Sequence, residues 1–109
     1  MKQRDDMTFP PEEYVRRLEG LRERMRSRRL DAVVISDPEN IMYLTDYQTT
    51  GYSFFQALVV PVDAEPFFVI RRLEMLNCAA NSRIETILPY EDDELPAVAL
   101  VRALTDRGL

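Results

Sequence analysis

Leu30-Asp31-Ala32-Val33-Val34-Ile35-Ser36-Asp37-Pro38-Glu39-Asn40-Ile41-Met42-Tyr43-Leu44-Thr45 is the stretch from which the fold can be read. Residues 32–35 form a short, unbroken apolar run rich in β-branched side chains, which predicts a strand covered on both faces. Asp37 directly before Pro38 is a strong helix start. The carboxylate accepts amide N–H groups that the first turn leaves unpaired, and proline has no N–H to leave. Ile41, Leu44 and Tyr43 form the expected buried side of that helix. A buried strand turning at once into a capped helix is the opening unit of an α/β domain.

Working outward toward the N-terminus, Pro10, Pro11, Glu12 and Glu13 place proline and acids where a helix begins. Tyr14, Leu18, Leu21 and Met25 then recur at spacings of four, three and four, one apolar stripe of an amphipathic helix running to about Arg29. Its other face carries seven arginines between Arg16 and Arg29. Glu12, Glu13, Glu19 and Glu23 on the same helix can pair with them, so a solvated, self-compensated face is favoured over an anion site. Residues 1–10 are expected to be a flexible arm.

Toward the C-terminus, residues 54–61 and 66–70 are apolar runs separated by a short polar turn, which predicts an antiparallel hairpin. Residues 71–81 are expected to be a helix with Leu73, Leu76 and Ala80 facing inward. Cys78 in that helix is read as a small buried hydrophobe rather than a nucleophile. Residues 83–88 supply a fourth strand ended by Pro89, and residues 95–107 a last helix closed by Gly108 at the position after its cap. The acids Glu91, Asp92, Asp93 and Glu94 read as a solvated turn, because neighbouring acids on a loop do not converge on a metal by spacing alone.

Composition narrows the chemistry. A chain of 109 residues supports one domain. The net charge of −5 weighs against a general nucleic-acid partner. A single cysteine excludes an internal disulfide and fits a reducing compartment. No apolar run approaches a membrane span, and residues 1–6 have no apolar segment behind them of the kind a secretory signal needs, so a cytoplasmic location is expected. The chain has no histidine, which closes off Ser-His-Asp and Cys-His catalysis and imidazole-based zinc sites. The best candidate for recognition is the loop around residues 46–55, where Tyr47, Tyr52, Phe54 and Phe55 sit among Gln48, Thr49, Thr50 and Gly51.

The run from Leu21-Arg22 and Met25 through Leu30–Thr45 closely resembles the N-terminal domain of the creatinase/prolidase (Xaa-Pro peptidase) family, and a weaker likeness continues to Leu109. The resemblance implies an α/β fold, a three-layer α/β/α sandwich with a mixed sheet of the ribonuclease H-like kind, over residues 11–109. Its implied strand order is 3-2-1-4-5, with residues 83–88 an edge strand and a fifth strand beginning beyond Leu109. It implies a non-catalytic domain of a metallohydrolase that cleaves C–N bonds in a small substrate: an Xaa-Pro dipeptide, creatine or a cyclic amidine such as ectoine. Any divalent metal would belong to a separate C-terminal "pita-bread" domain, and this chain alone is expected to be inactive. A homodimer is implied, in which the aromatic loop lies over the partner subunit's active site. Tyr52, Phe54 and Tyr47 are then the substrate-proximal residues. Phe54 stands where the creatinase branch has a carboxylate-gripping arginine, a departure that weighs against creatine. The alternative is a stand-alone α/β interaction or small-ligand-binding module.

Overall fold

The computed structural model describes residues 7–48 and 54–109. Four strands form one mixed sheet with helices on both faces, the three-layer α/β/α arrangement expected. Helix α1 (Pro11–Ser27) begins with proline in its first turn and Glu12 and Glu13 beside it. Tyr14, Leu18 and Met25 of its stripe are buried and Leu21 packs against the same cluster. The helix closes in a Schellman motif, with Leu30 N–H donating to Met25 O at 2.9 Å and Arg29 N–H to Arg26 O at 3.1 Å. Arg29 occupies the left-handed position, φ 56°, where glycine is the usual choice.

Strand β1 (Ala32–Ile35) leads into α2 (Pro38–Thr45), and Asp37 caps it as expected: its carboxylate accepts the Asn40 N–H at 3.0 Å. That hydrogen bond holds the Asp37 carboxyl below the usual carboxylate range. Ile41 and Leu44 are buried, but Tyr43 is 47% exposed and the third inward residue is Thr45. Thr45 can be buried because its polar groups are satisfied. Its hydroxyl donates to Ile41 O at 2.7 Å and accepts from Tyr47 N–H at 3.1 Å, and its carbonyl accepts from Arg83 N–H.

Strands β2 (Gln56–Pro61) and β3 (Phe67–Arg71) form the predicted hairpin. Their even-numbered side chains, Leu58, Val60, Phe68 and Ile70, face α1 and α2, while Ala57, Val59, Phe67 and Val69 face the last helix. A single 3₁₀ turn (Arg72–Glu74) and the short helix α3 (Met75–Asn81) then lead to β4 (Thr86–Tyr90), which lies parallel to β3. Helix α4 (Pro96–Asp106) crosses the opposite face and seats Ala99 and Ala103 against it. Gly108, φ 72°, terminates α4 in a second Schellman motif, with Leu109 N–H on Leu104 O and Gly108 N–H on Thr105 O.

Besides Tyr43, four expectations are corrected. The strands lie in the order β1-β2-β3-β4 rather than 3-2-1-4, so β1 is an edge and β4 pairs with β3. A seat beyond β1 is about three strand spacings, or about 14 Å, from β3. The short 3₁₀–α3 link returns the chain to the adjacent place instead. As an edge, β1 is not covered on both faces: Val33 and Ile35 pack against the α1–α2 cluster while Val34 is 45% exposed. In the segment after β3, Leu73 and Leu76 point outward, 72% and 84% exposed, and Ala80 is exposed too. A 3₁₀ turn before α3 rotates the helix phase, so Cys78 takes the inward position. Finally, β4 starts at Thr86 and runs through Pro89, which an edge strand tolerates. Residues 83–85 are not strand. The Ile84 side chain is buried in the α1–α2 core, and Arg83 is buried as well.

Candidate functional site: an aromatic and arginine rim

The chain leaves α2 at Asp46, whose backbone is left-handed, φ 65°, and enters the segment that holds the candidate site residues. The two of the three that can be placed, Tyr47 and Phe54, separate at once. Tyr47 is a core residue, 1% exposed, with its ring edge-on to Phe68 at 5.6 Å between centroids. Tyr52 lies outside the described residues. Phe54 is at the surface, 44% exposed, just before β2. Its neighbour Phe55 packs inward, its ring 6.5 Å from that of Tyr90, and the Tyr90 hydroxyl donates to Phe55 O at 2.5 Å.

Phe54 is not alone on the rim. The Arg71 guanidinium, at the end of β3, stacks over the Phe54 ring at 3.8 Å from its centroid. Arg71 also makes a two-pronged hydrogen bond to Asp92, Nε to Oδ1 at 2.7 Å and Nη2 to Oδ2 at 3.2 Å. The pairing keeps the Asp92 carboxyl below its ordinary range and the guanidinium above its own. Arg72 pairs with Glu91 and Arg102 with Glu94, so three of the four consecutive acids are engaged by arginines. Glu94 also accepts the Glu91 N–H, which fixes the turn. These acids form the solvated turn expected, and the structure adds the arginines that engage them. No group of three or more His, Cys, Asp or Glu side chains comes together to hold a metal among the described residues, and the engaged acids do not fit one.

Sequence reasoning missed Arg71 as a site residue, because its partners Phe54 and Asp92 lie 17 and 21 positions away along the chain. It also missed Arg83, 1% exposed, which donates from Nη1 to Pro11 O at 3.3 Å and lies 5.0 Å from the centre of the Tyr14 ring. Burial lowers the Arg83 pKa from its ordinary value. Together with Arg83 N–H on Thr45 O, these bonds tie the start of α1 to the end of α2 and so set the departure point of the aromatic loop. On the other side, Arg17 lies against the rings of Phe9, Tyr14 and Tyr43 and donates to Tyr43 O at 2.7 Å.

Comparison with known proteins gives this arrangement its context. Ectoine hydrolase of Halomonas elongata is 40% identical over 82 residues, 73% of this chain but 19% of that protein. An uncharacterized hydrolase/peptidase of Sinorhizobium fredii is 30% identical over 87 residues, 77% of this chain and 22% of that protein. The chain thus spans about a fifth of the length of these curated relatives. Among solved structures, a proline dipeptidase from Streptococcus pneumoniae superposes with a TM-score of 0.72 at 29% identity, covering 80% of this chain and 64% of that one. The N-terminal domain of an Xaa-Pro dipeptidase from Lactobacillus brevis gives a TM-score of 0.77 at 24% identity, covering 85% and 69%. The family profile described as the creatinase/prolidase N-terminal domain matches residues 17–108, and the chain belongs to that family.

Proposed function

We propose that the chain is the non-catalytic N-terminal domain of a creatinase- or Xaa-Pro-dipeptidase-like metallohydrolase acting on a C–N bond of a small substrate. In this role it supports dimerisation and shapes the substrate pocket of the neighbouring subunit. The observation that carries the reading is the rim: Phe54, half-exposed, held by Arg71 beside the aromatic loop. An exposed ring with a cation stacked on it is a surface built to meet another molecule rather than to fill a core. Tyr52 is the second residue of that surface by family resemblance. Divalent metal and proton transfer belong to the catalytic domain. The setting is a reducing cytoplasm, with which the buried Cys78 thiol, held in no disulfide, is compatible.

The test is a domain exchange. This chain replaces the matching segment of the Halomonas ectoine hydrolase, and steady-state kinetics and light scattering are measured with and without Phe54→Ala and Tyr52→Ala. The reading requires a dimer whose KM rises in both variants while the fold holds. A chimera that hydrolyses substrate as a monomer, or whose kinetics ignore both substitutions, refutes it.

A further inference from the structure

We propose that the outer edge of β1, which pairs with no strand among the described residues, receives an extended acidic peptide, which adds to the sheet as a further strand; this goes beyond the hydrolase reading and does not depend on it. The pairing register decides what the edge offers. Val62 N–H donates to Asp31 O at 2.9 Å, so Asp31 and Val62 form a hydrogen-bonded pair of the antiparallel ladder. Such pairs alternate, so Val33 and Ile35 also turn their backbone groups toward β2. Ala32 and Val34 therefore direct their N–H and C=O groups away from the sheet. Pro61, opposite Ala32, falls at a position where its missing N–H is not needed. Within Ala32–Ile35 there is no proline, the residue that blunts strand addition.

A groove of about 750 Å³ runs along this edge. Its wall is α1, where Arg16, Gly20 and Arg24 recur every fourth residue and all line the groove. Gly20 leaves the space between the two arginines open, with nothing within 4 Å of where a Cβ would stand. Arg24 has no side-chain hydrogen bond or ion pair among the described residues, while Arg16 pairs only with Glu13. The one acid lining the groove, Asp37, is occupied by the Asn40 N–H. The groove is thus basic on a chain whose net charge is −5. Eight residues of helix separate Arg16 from Arg24 by about 12 Å. Two acids four residues apart on one face of an added strand lie about 13 Å apart, a close match. A second copy is a poor occupant. Antiparallel pairing of β1 with its own copy sets both α1 helices on one face of the joined sheet, arginine against arginine across the seam.

The experiment titrates the full chain into a fluorescein-labelled peptide, Thr-Glu-Val-Glu-Val-Glu-Thr, and follows anisotropy. Saturable binding is expected, weakened at least tenfold by R24E or by exchanging the peptide's Glu for Lys, and weakened further in R16E/R24E. Methylating one alternate set of peptide amides should abolish binding and methylating the other should spare it, an arm that uses the unaltered protein. Equal binding of the Lys peptide, indifference to R24E in a variant with unchanged circular dichroism, or indifference to both methylation patterns overturns the proposal. So does a concentration-dependent dimer, seen by sedimentation equilibrium, that the peptide fails to dissociate and R24E fails to alter.

Discussion

Truncating the two aromatic residues that flank the loop should separate core from rim. Tyr47 is 1% exposed and meets Phe68 edge to face. An aromatic side chain buries roughly 150–250 Å². At about 25 cal/mol per Å² that amounts to about 4–6 kcal/mol, an upper bound because the unfolded chain already hides part of that area. Tyr47→Ala is therefore expected to cost about 3–5 kcal/mol, the usual range for removing a buried aromatic. A domain of this size is stable by only about 5–15 kcal/mol, so the loss is a large part of the total. Phe54 is 44% exposed and rests on a single cation, so Phe54→Ala should cost less than about 1 kcal/mol. Urea denaturation followed by far-UV circular dichroism at 25 °C measures both. With a slope of about 1–3 kcal/mol per molar, the Tyr47→Ala midpoint should fall by more than about 1 M while that of Phe54→Ala stays close to the parent. A Tyr47→Ala protein within about 1 kcal/mol of the parent, or equal losses in the two variants, would refute the assignment of Tyr47 to the core and Phe54 to the rim.

Three further outcomes are expected. Replacing Arg29 by glycine, at φ 56°, should raise stability by about 0.5–1 kcal/mol, seen as a higher melting temperature in calorimetry, because a strained left-handed residue is relieved. Asp37→Ala should lower the melting temperature at neutral pH. The Asp37 carboxyl is depressed in the folded state, so its contribution is present above the unfolded value and is lost as pH falls through the folded one. The gap between parent and variant should therefore close in scans taken below the ordinary aspartate range. Cys78, 0% exposed, should react with a thiol reagent only on the time scale of unfolding, at a rate that rises with denaturant; immediate stoichiometric labelling of the native chain would contradict its placement.

Much of this architecture was legible because the signals were local. Asp37-Pro38, the Tyr14–Leu18–Leu21–Met25 stripe and the closing Gly108 each depend on neighbours within a turn or two, and the structure places each as expected. What could not be read is what depends on where distant segments meet. A purely apolar strand looks the same at an edge as at the centre, so β1 read as covered on both faces although Val34 is open. Leu73 and Leu76 have helical spacing, but a 3₁₀ turn has a different angular step, and one such turn sufficed to point them outward. On the rim, composition singled out the aromatic loop but could not separate Tyr47, which packs on Phe68, from Phe54, which does not. Nor could it foresee that Arg71, from another strand, would stand over Phe54.

The division of β2 and β3 into two apolar faces has a consequence for how the hairpin finds its alignment. Ordinarily a slip by one position is punished because polar side chains are turned inward. Here the exchanged residues at the centre of the hairpin would still be apolar: Leu58 would trade places with Ala57, and Phe68 with Val69. What opposes the slip is bulk. On the side toward α4, where Phe67 and Tyr90 already pack, a leucine at the place of Ala57 would overfill the cluster, while the side toward α1 and α2 would be left with a hole at Leu58. The correct alignment is thus chosen by size rather than by polarity, and enlarging Ala57 to leucine is the single change that would most blur the choice.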